Sequence, residues 1–256
     1  ERNLYNGILA QQHPETGMIA YFLPLEGGAI KKWGSPTEDF WCCHGTLVQA
    51  HAIHNQGIYF EDGEGLVIAQ YVPTAAAWQW QGSQVTITQA SDPQHASTRR
   101  PHSWAIDIKV SCAQPTEFTI KLRIPWWVDG AAEIAVNGEA QAVAPGGSRF
   151  ETLHRTWHDD IIRLVLPKTL TTVPLPDEPG TVAFMDGPVV LAGLVDEERA
   201  LAGDPSQPQS LLTPDNEREW TFWQPSYRTR GQARNFRLIP LHEVREQRYT
   251  VYFPVK

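Results

Sequence analysis

The sequence predicts a mainly β fold, an antiparallel β-sandwich preceded by a short helical segment. Three observations predict it. Beyond residue 57 apolar residues recur at every second position, as in Phe118, Ile120, Leu122 and Ile124, the period of a strand with one buried face. These runs are short and separated by turn residues, as in sandwiches. Residues 1–56 are spaced differently: Leu4, Tyr5, Ile8 and Leu9 form a helical stripe.

Taken in order, residues 2–10 read as the last turns of an amphipathic helix with no capping residue ahead of it, which suggests the C-terminal part of something longer. Residues 11–40 read as a loop punctuated by Pro14, Gly17, Pro24, Gly27, Gly28, Gly34 and Pro36. A second helix is expected over 45–56, with Leu47, Ala50 and His54 on one face. The remainder, 57–256, is the sandwich region. Its candidate strands are 66–72, 84–88, 106–110, 118–124, 132–136, 149–153, 161–166, 181–185 and 188–194. Asn137-Gly138 suits a type I′ hairpin turn, where both residues need positive φ. Residues 196–219 are acidic, contain proline and lack periodicity, so they read as a long surface loop. Tyr249, Val251 and Phe253 mark a last strand that returns to an existing sheet.

Of the 256 residues, 41% are hydrophobic and 20% charged, enough to bury a core. No apolar run approaches the roughly 18 residues of a membrane helix. A net charge of −8 argues against binding a nucleic-acid backbone and suits a neutral partner such as a sugar. Ten Trp, seven Tyr and nine Phe fit a carbohydrate-active protein, because flat aromatic faces stack on sugar rings; they equally fit a large core. Three cysteines are too few for a disulfide scaffold and fit a reducing compartment, the cytoplasm, with the periplasm as the alternative.

Two of those cysteines, Cys42 and Cys43, are adjacent. Neighbouring Cα atoms lie about 3.8 Å apart, below the usual disulfide range of about 4.4–6.8 Å, so a bridge between them would be strained. Three uses remain: two thiolates on one metal, one reactive nucleophile, or two inert buried thiols. The pair precedes the second expected helix, whose free N–H groups would stabilise a thiolate. A zinc site needs four ligands and this segment supplies two. His44, His51 and His54 are the other donors nearby, and equally suit solvated or hydrogen-bonded roles. Cys112 reads as a structural residue near a strand end.

Several stretches resemble the cysteine-dependent, zinc-containing retaining β-L-arabinofuranosidase family of glycoside hydrolases, in its C-terminal portion. They are residues 1–10, Pro14–Met18, Tyr21–Leu25, Phe40-Trp-Cys-Cys-His-Gly-Thr46, Ile58-Tyr-Phe60, Leu122–Trp126, Val136-Asn-Gly138, Arg155-Thr-Trp157 and Gly187-Pro188. The resemblance implies that the helical segment is the end of an (α/α)6 barrel and that the enzyme is exo-acting on an arabinofuranoside or related glycan. It assigns Cys42 as the nucleophile, Cys42 and Cys43 as zinc ligands, and Tyr21 as a neighbour of the nucleophile. The remaining zinc ligands and the acid/base belong to an upstream part of the family's barrel, so this chain by itself is expected to be inactive. Leu47 and Gln49 stand where relatives have Gly and Glu. Asp159-Asp160 stands for Gly-Asp at what reads as a turn of the sandwich.

Two other classes compete. In a non-catalytic carbohydrate-binding or structural module, Trp126-Trp127, Trp78 and Trp80 would form a stacking surface, and the cysteine pair would have no use. A hydrolase working through zinc-bound water would need an open metal position and His ligands.

Overall fold

The computed structural model describes residues 1–91, 103–215 and 226–256. They form two compact units, Ala52–Thr169 and Glu1–His51 with Leu170–Lys256.

The first unit is built on β1 (Tyr59–Glu61), β2 (Gly65–Ile68), β3 (Thr74–Trp80), β4 (Ser83–Ser91), β5 (Ser103–Ile124), β6 (Glu133–Val136), β7 (Glu139–Gln141) and β8 (Arg149–Pro167). The order is β1-β2-β5-β8-β6-β7, with β3-β4 attached along β5 through β4. The expected strands 106–110 and 118–124 are one strand, β5, and 149–153 and 161–166 are one strand, β8. The two ribbons pair along nearly their whole length. Between Ser111 and Thr116 the register jumps, where those partners on β8 are Asp159 and Trp157. Such a bulge bends a ribbon without ending it, which is why the sequence showed two strands where the chain has one. Asp159-Asp160 therefore lies inside β8, opposite this bulge, and not in a turn.

Alternation places Ile106, Ile108, Val110, Phe118, Ile120, Leu122 and Ile124 in one core with Ile162, Leu164 and Trp157. The Trp157 indole N–H donates to Phe118 O at 2.9 Å, so this fully buried side chain has its polar atom satisfied. All sheet pairings in this unit are antiparallel except β2 with β5, which is parallel. Gly65 makes that approach possible: a Cβ there would lie 2.0 Å from Thr119 O. The expected hairpin forms at Asn137-Gly138, with φ of 53° and 86° and Val136 opposite Glu139.

β3 escaped the sequence reading because Ala75-Ala76-Ala77 carries little strand propensity. Its Trp80 is buried, as is Trp127 after β5, and Trp78 donates to Glu61 Oε2 at 3.0 Å while meeting Phe118 edge-on. The four tryptophans considered as a stacking surface are thus mostly core; Trp126 alone of them is exposed. Cys112 is buried inside β5 opposite Val85, beside the bulge and not at a strand end.

The second unit holds a seven-stranded sheet: β9 (Leu170–Pro174), β10 (Thr181–Asp186), β11 (Val189–Gly193), β12 (Leu212–Pro214), β13 (Tyr227–Thr229), β14 (Arg237–Pro240) and β15 (Tyr252–Pro254). Its order is β12-β13-β14-β11-β10-β15, with β9 also on β10. The returning strand is β15, paired antiparallel to β10. Within the stretch 196–219, of which 216–219 lie outside the described residues, the chain is not a plain surface loop. Leu201, Leu211 and Leu212 enter the core, and a short helix, Pro208–Leu211, leads into β12. Isolated leucines without a period left no signal of this.

The helical stripe near residue 1 is a π-helical turn, Leu4–Ile8, followed by a 3-10 turn, Leu9–Gln11. Asn6 fastens it to β11: its side chain donates to Pro188 O and accepts from Val190 N, both at 2.8 Å. The other helix, α1 (Cys42–Ile53), continues as a 3-10 turn, His54–Gly57.

Candidate active site

α1 starts three residues earlier than its apolar spacing indicated, and His44 explains the shift. The His44 and Gly45 amides donate to Trp41 O at 3.0 and 3.4 Å, which makes Trp41 the helix cap and Cys42 the first helical residue. His44, in the third helical position, reaches back: its Nδ1 accepts from Trp41 N at 3.2 Å. This is the role a Glu plays in a capping box. Because Nδ1 accepts, the imidazole proton sits on Nε2, which is buried and has no partner among the described residues.

Both cysteines are exposed free thiols, which excludes the inert buried reading. They sit at the positive end of α1, where N–H groups lack intrahelical acceptors. Their sulfurs are 3.7 Å apart, too far for a disulfide. Tyr21 stands over them, its ring edge-on to Trp41 at 5.6 Å. Cys43 Sγ donates to Tyr21 Oη at 3.4 Å, and the Tyr21 hydroxyl is placed to donate to Cys42 Sγ at 3.7 Å. The chain of donors ends on Cys42. Hydrogen bonds from Tyr21 first, then Cys43, hold the Cys42 thiol below its ordinary range, while the two sulfurs hold the Tyr21 phenol above its own. The structure thus brings together all three residues singled out in the sequence, Tyr21, Cys42 and Cys43.

The donor set fits zinc at two corners. Zinc–sulfur bonds of about 2.3 Å in a tetrahedron place two sulfurs roughly 3.8 Å apart, and the observed separation is 3.7 Å. The histidines do not complete the site. His51 lies nine residues along α1, about 13 Å up the axis from Cys42 at the usual helical rise. His54 lies farther still, beyond the end of α1. His44 spends Nδ1 on its own backbone. Among the described residues no group of three His, Cys, Asp or Glu side chains converges on a metal position.

A cleft of about 620 Å³ opens beside the pair. Tyr21, Phe22, Trp33 and Trp41 supply aromatic walls, and Asp39 and Lys32 supply polar ones. Phe22 is 75% and Trp41 55% exposed. Flat exposed rings beside hydrogen-bonding groups suit a sugar, which has both apolar faces and hydroxyl edges. The sequence reading missed Trp33 and Asp39, which lie in a stretch that read only as loop and reach the cleft through its folding; the signal for Trp41 was present in the motif itself.

Residues 1–56 match the family model for the β-L-arabinofuranosidase GH127 catalytic domain, and residues 65–168 match that for the GH127 middle domain. Together these matches take in more than half of the chain. A GH127 β-L-arabinofuranosidase from Geobacillus stearothermophilus T6 has a similar structure, with a TM-score of 0.74 and 22% identity over 99% of this chain and 45% of that one. A solved GH127 β-arabinofuranosidase gives 0.74 and 18% over 99% and 44%. A solved glycoside hydrolase gives 0.74 and 17% over 98% and 47%. The chain spans less than half the length of these structures, and at such identities the likeness is one of fold. No curated protein matches it.

Proposed function

Because the chain belongs to the GH127 β-L-arabinofuranosidase family, we propose that it carries the nucleophile and half of the zinc ligands of a retaining, exo-acting glycoside hydrolase. The observation that carries this reading is the exposed Cys42 sulfur at the start of α1, within 3.7 Å of both the Tyr21 hydroxyl and Cys43 Sγ.

Retaining glycosidases ordinarily place a carboxylate nucleophile opposite a carboxylic acid. Here Cys42 takes the nucleophile's place. Its sulfur attacks the anomeric carbon of a β-L-arabinofuranoside, the glycosidic C–O bond breaks, and the leaving oxygen takes a proton from a general acid. Water then attacks the same carbon and gives a proton back to the group that served as acid, the C–S bond breaks with its electron pair returning to the Cys42 sulfur, and two inversions give net retention. Tyr21 orients the Cys42 sulfur and donates to it while it is anionic. The N–H groups of the first turn of α1 stabilise the same charge. A zinc ion held by Cys42 and Cys43 would keep both sulfurs deprotonated at neutral pH. The aromatic cleft would receive the glycan beside the nucleophile.

The test is Cys42→Ser in a protein that contains this chain together with the remainder of its catalytic domain. Hydrolysis of an aryl β-L-arabinofuranoside should fall by about a thousandfold or more, with bound zinc reduced in parallel. Wild-type turnover in that variant would overturn the assignment.

A further inference from the structure

The chain carries net charge −8, yet four of its 21 basic side chains meet at one cavity. This cavity of about 470 Å³ lies in the second unit and is lined by Arg199, Arg234, Arg237 and Arg248. Two of the four are matched internally. Arg199 pairs with Glu197 at 2.9 Å, and Arg237 lies 3.7 Å from Asp215 and donates to Ser226 Oγ at 3.1 Å. The other two carry uncompensated charge. Arg234 is exposed and makes no ion pair among the described residues, and Arg248 spends a single donor, Nη1, on Gly28 O at 2.8 Å. The rest of the guanidinium fork of Arg248 is left for a ligand. Arg199 Nε is buried with no partner among the described residues.

A guanidinium with free donors matches the planar fork of a carboxylate. The remaining polar wall narrows the choice. Asp196 stands in the same lining, 3.9 Å from Arg199 Nη2. Its carboxylate accepts hydrogen bonds from hydroxyl groups, while Asn235 and Gln247 offer both donors and acceptors. We propose that this cavity binds an anionic sugar of the hexuronate class, its carboxylate between Arg234 and Arg248 and its hydroxyls on Asp196, Asn235 and Gln247. The choice of a sugar rests on the carbohydrate-active reading above; the choice of an anion rests on the cavity alone.

Calorimetric titration of this chain with D-glucuronate, D-glucose and inorganic phosphate tests it. Saturable binding of glucuronate is expected, with none of glucose and weaker binding of phosphate. Arg234→Glu should weaken glucuronate at least tenfold; the side chain is exposed and unpaired, so folding, checked by circular dichroism, should be unchanged. Arg248→Ala should weaken it as well. Cys42→Ser should leave glucuronate binding intact, which separates failure here from failure of the catalytic assignment. Absence of glucuronate binding, binding indifferent to both arginine variants, or phosphate binding as tight as glucuronate would each overturn the proposal.

Discussion

The Tyr21 hydroxyl lies 3.7 Å from the Cys42 sulfur, across 21 residues of chain. This contact gives the more N-terminal of two neighbouring thiols a donor that ends on it, and so distinguishes residues that the sequence presents as equals. It is the leading cause of the lowered thiol pKa at Cys42.

Replacing Tyr21 by Phe removes that donor while keeping the ring against Trp41. In metal-free protein, the thiolate of Cys42 should then form at higher pH, and alkylation by iodoacetamide at pH 7 should slow several-fold. The measurement is the alkylation rate against pH, with the modified residue identified by mass spectrometry. An unchanged profile would show that the helix terminus alone sets the reactivity.

Lys31 is 3% exposed and donates to Leu241 O and Val244 O at 2.8 and 2.9 Å. Burial pulls its pKa down to about 7, with Glu243 opposing. Unfolded, a lysine titrates near 10.4. Between pH 7 and that value the unfolded chain binds the extra proton, so this residue makes stability rise with pH across the window. Urea midpoints at pH 7 and pH 9.5 should therefore differ more in the wild type than in Lys31→Met. Equal differences would remove Lys31 as the source.

Asp160 is buried and accepts from Asn137 Nδ2 at 2.7 Å and from His158 N at 2.8 Å. It ties the β6-β7 turn to β8. Asp160→Ala leaves both donors unpaired and removes the carboxylate that faces Arg155 at 3.4 Å, which should cost about 1–3 kcal/mol in chemical unfolding. Asp160→Asn, which keeps an acceptor oxygen, should lose less. A neutral Asp160→Ala would mean that water satisfies both donors.

The local chemistry of particular residues carried much of the fold. Alternation at 118–124 marked a half-buried strand, and Asn137-Gly138 marked the hairpin, because each depends only on neighbouring residues. Other features had no local mark. Ala75-Ala76-Ala77 is a strand because β4 offers it hydrogen bonds, not because alanine favours the conformation. The helix over 42–53 begins at Cys42 because a histidine caps it, a residue that helix-start patterns do not include.

The sequence by itself determined the class of fold, the register of the hairpin and the adjacency that keeps Cys42 and Cys43 from bridging, since period, turn chemistry and adjacency are all written within a few residues. Tertiary structure alone decided that β5 and β8 are single bent ribbons, that β2 runs parallel to β5, and that Tyr21 meets Cys42 while His51 and His54 stay away. Those outcomes depend on which distant segments come to share a sheet edge or a helix end, and side-chain spacing along the chain holds no record of that.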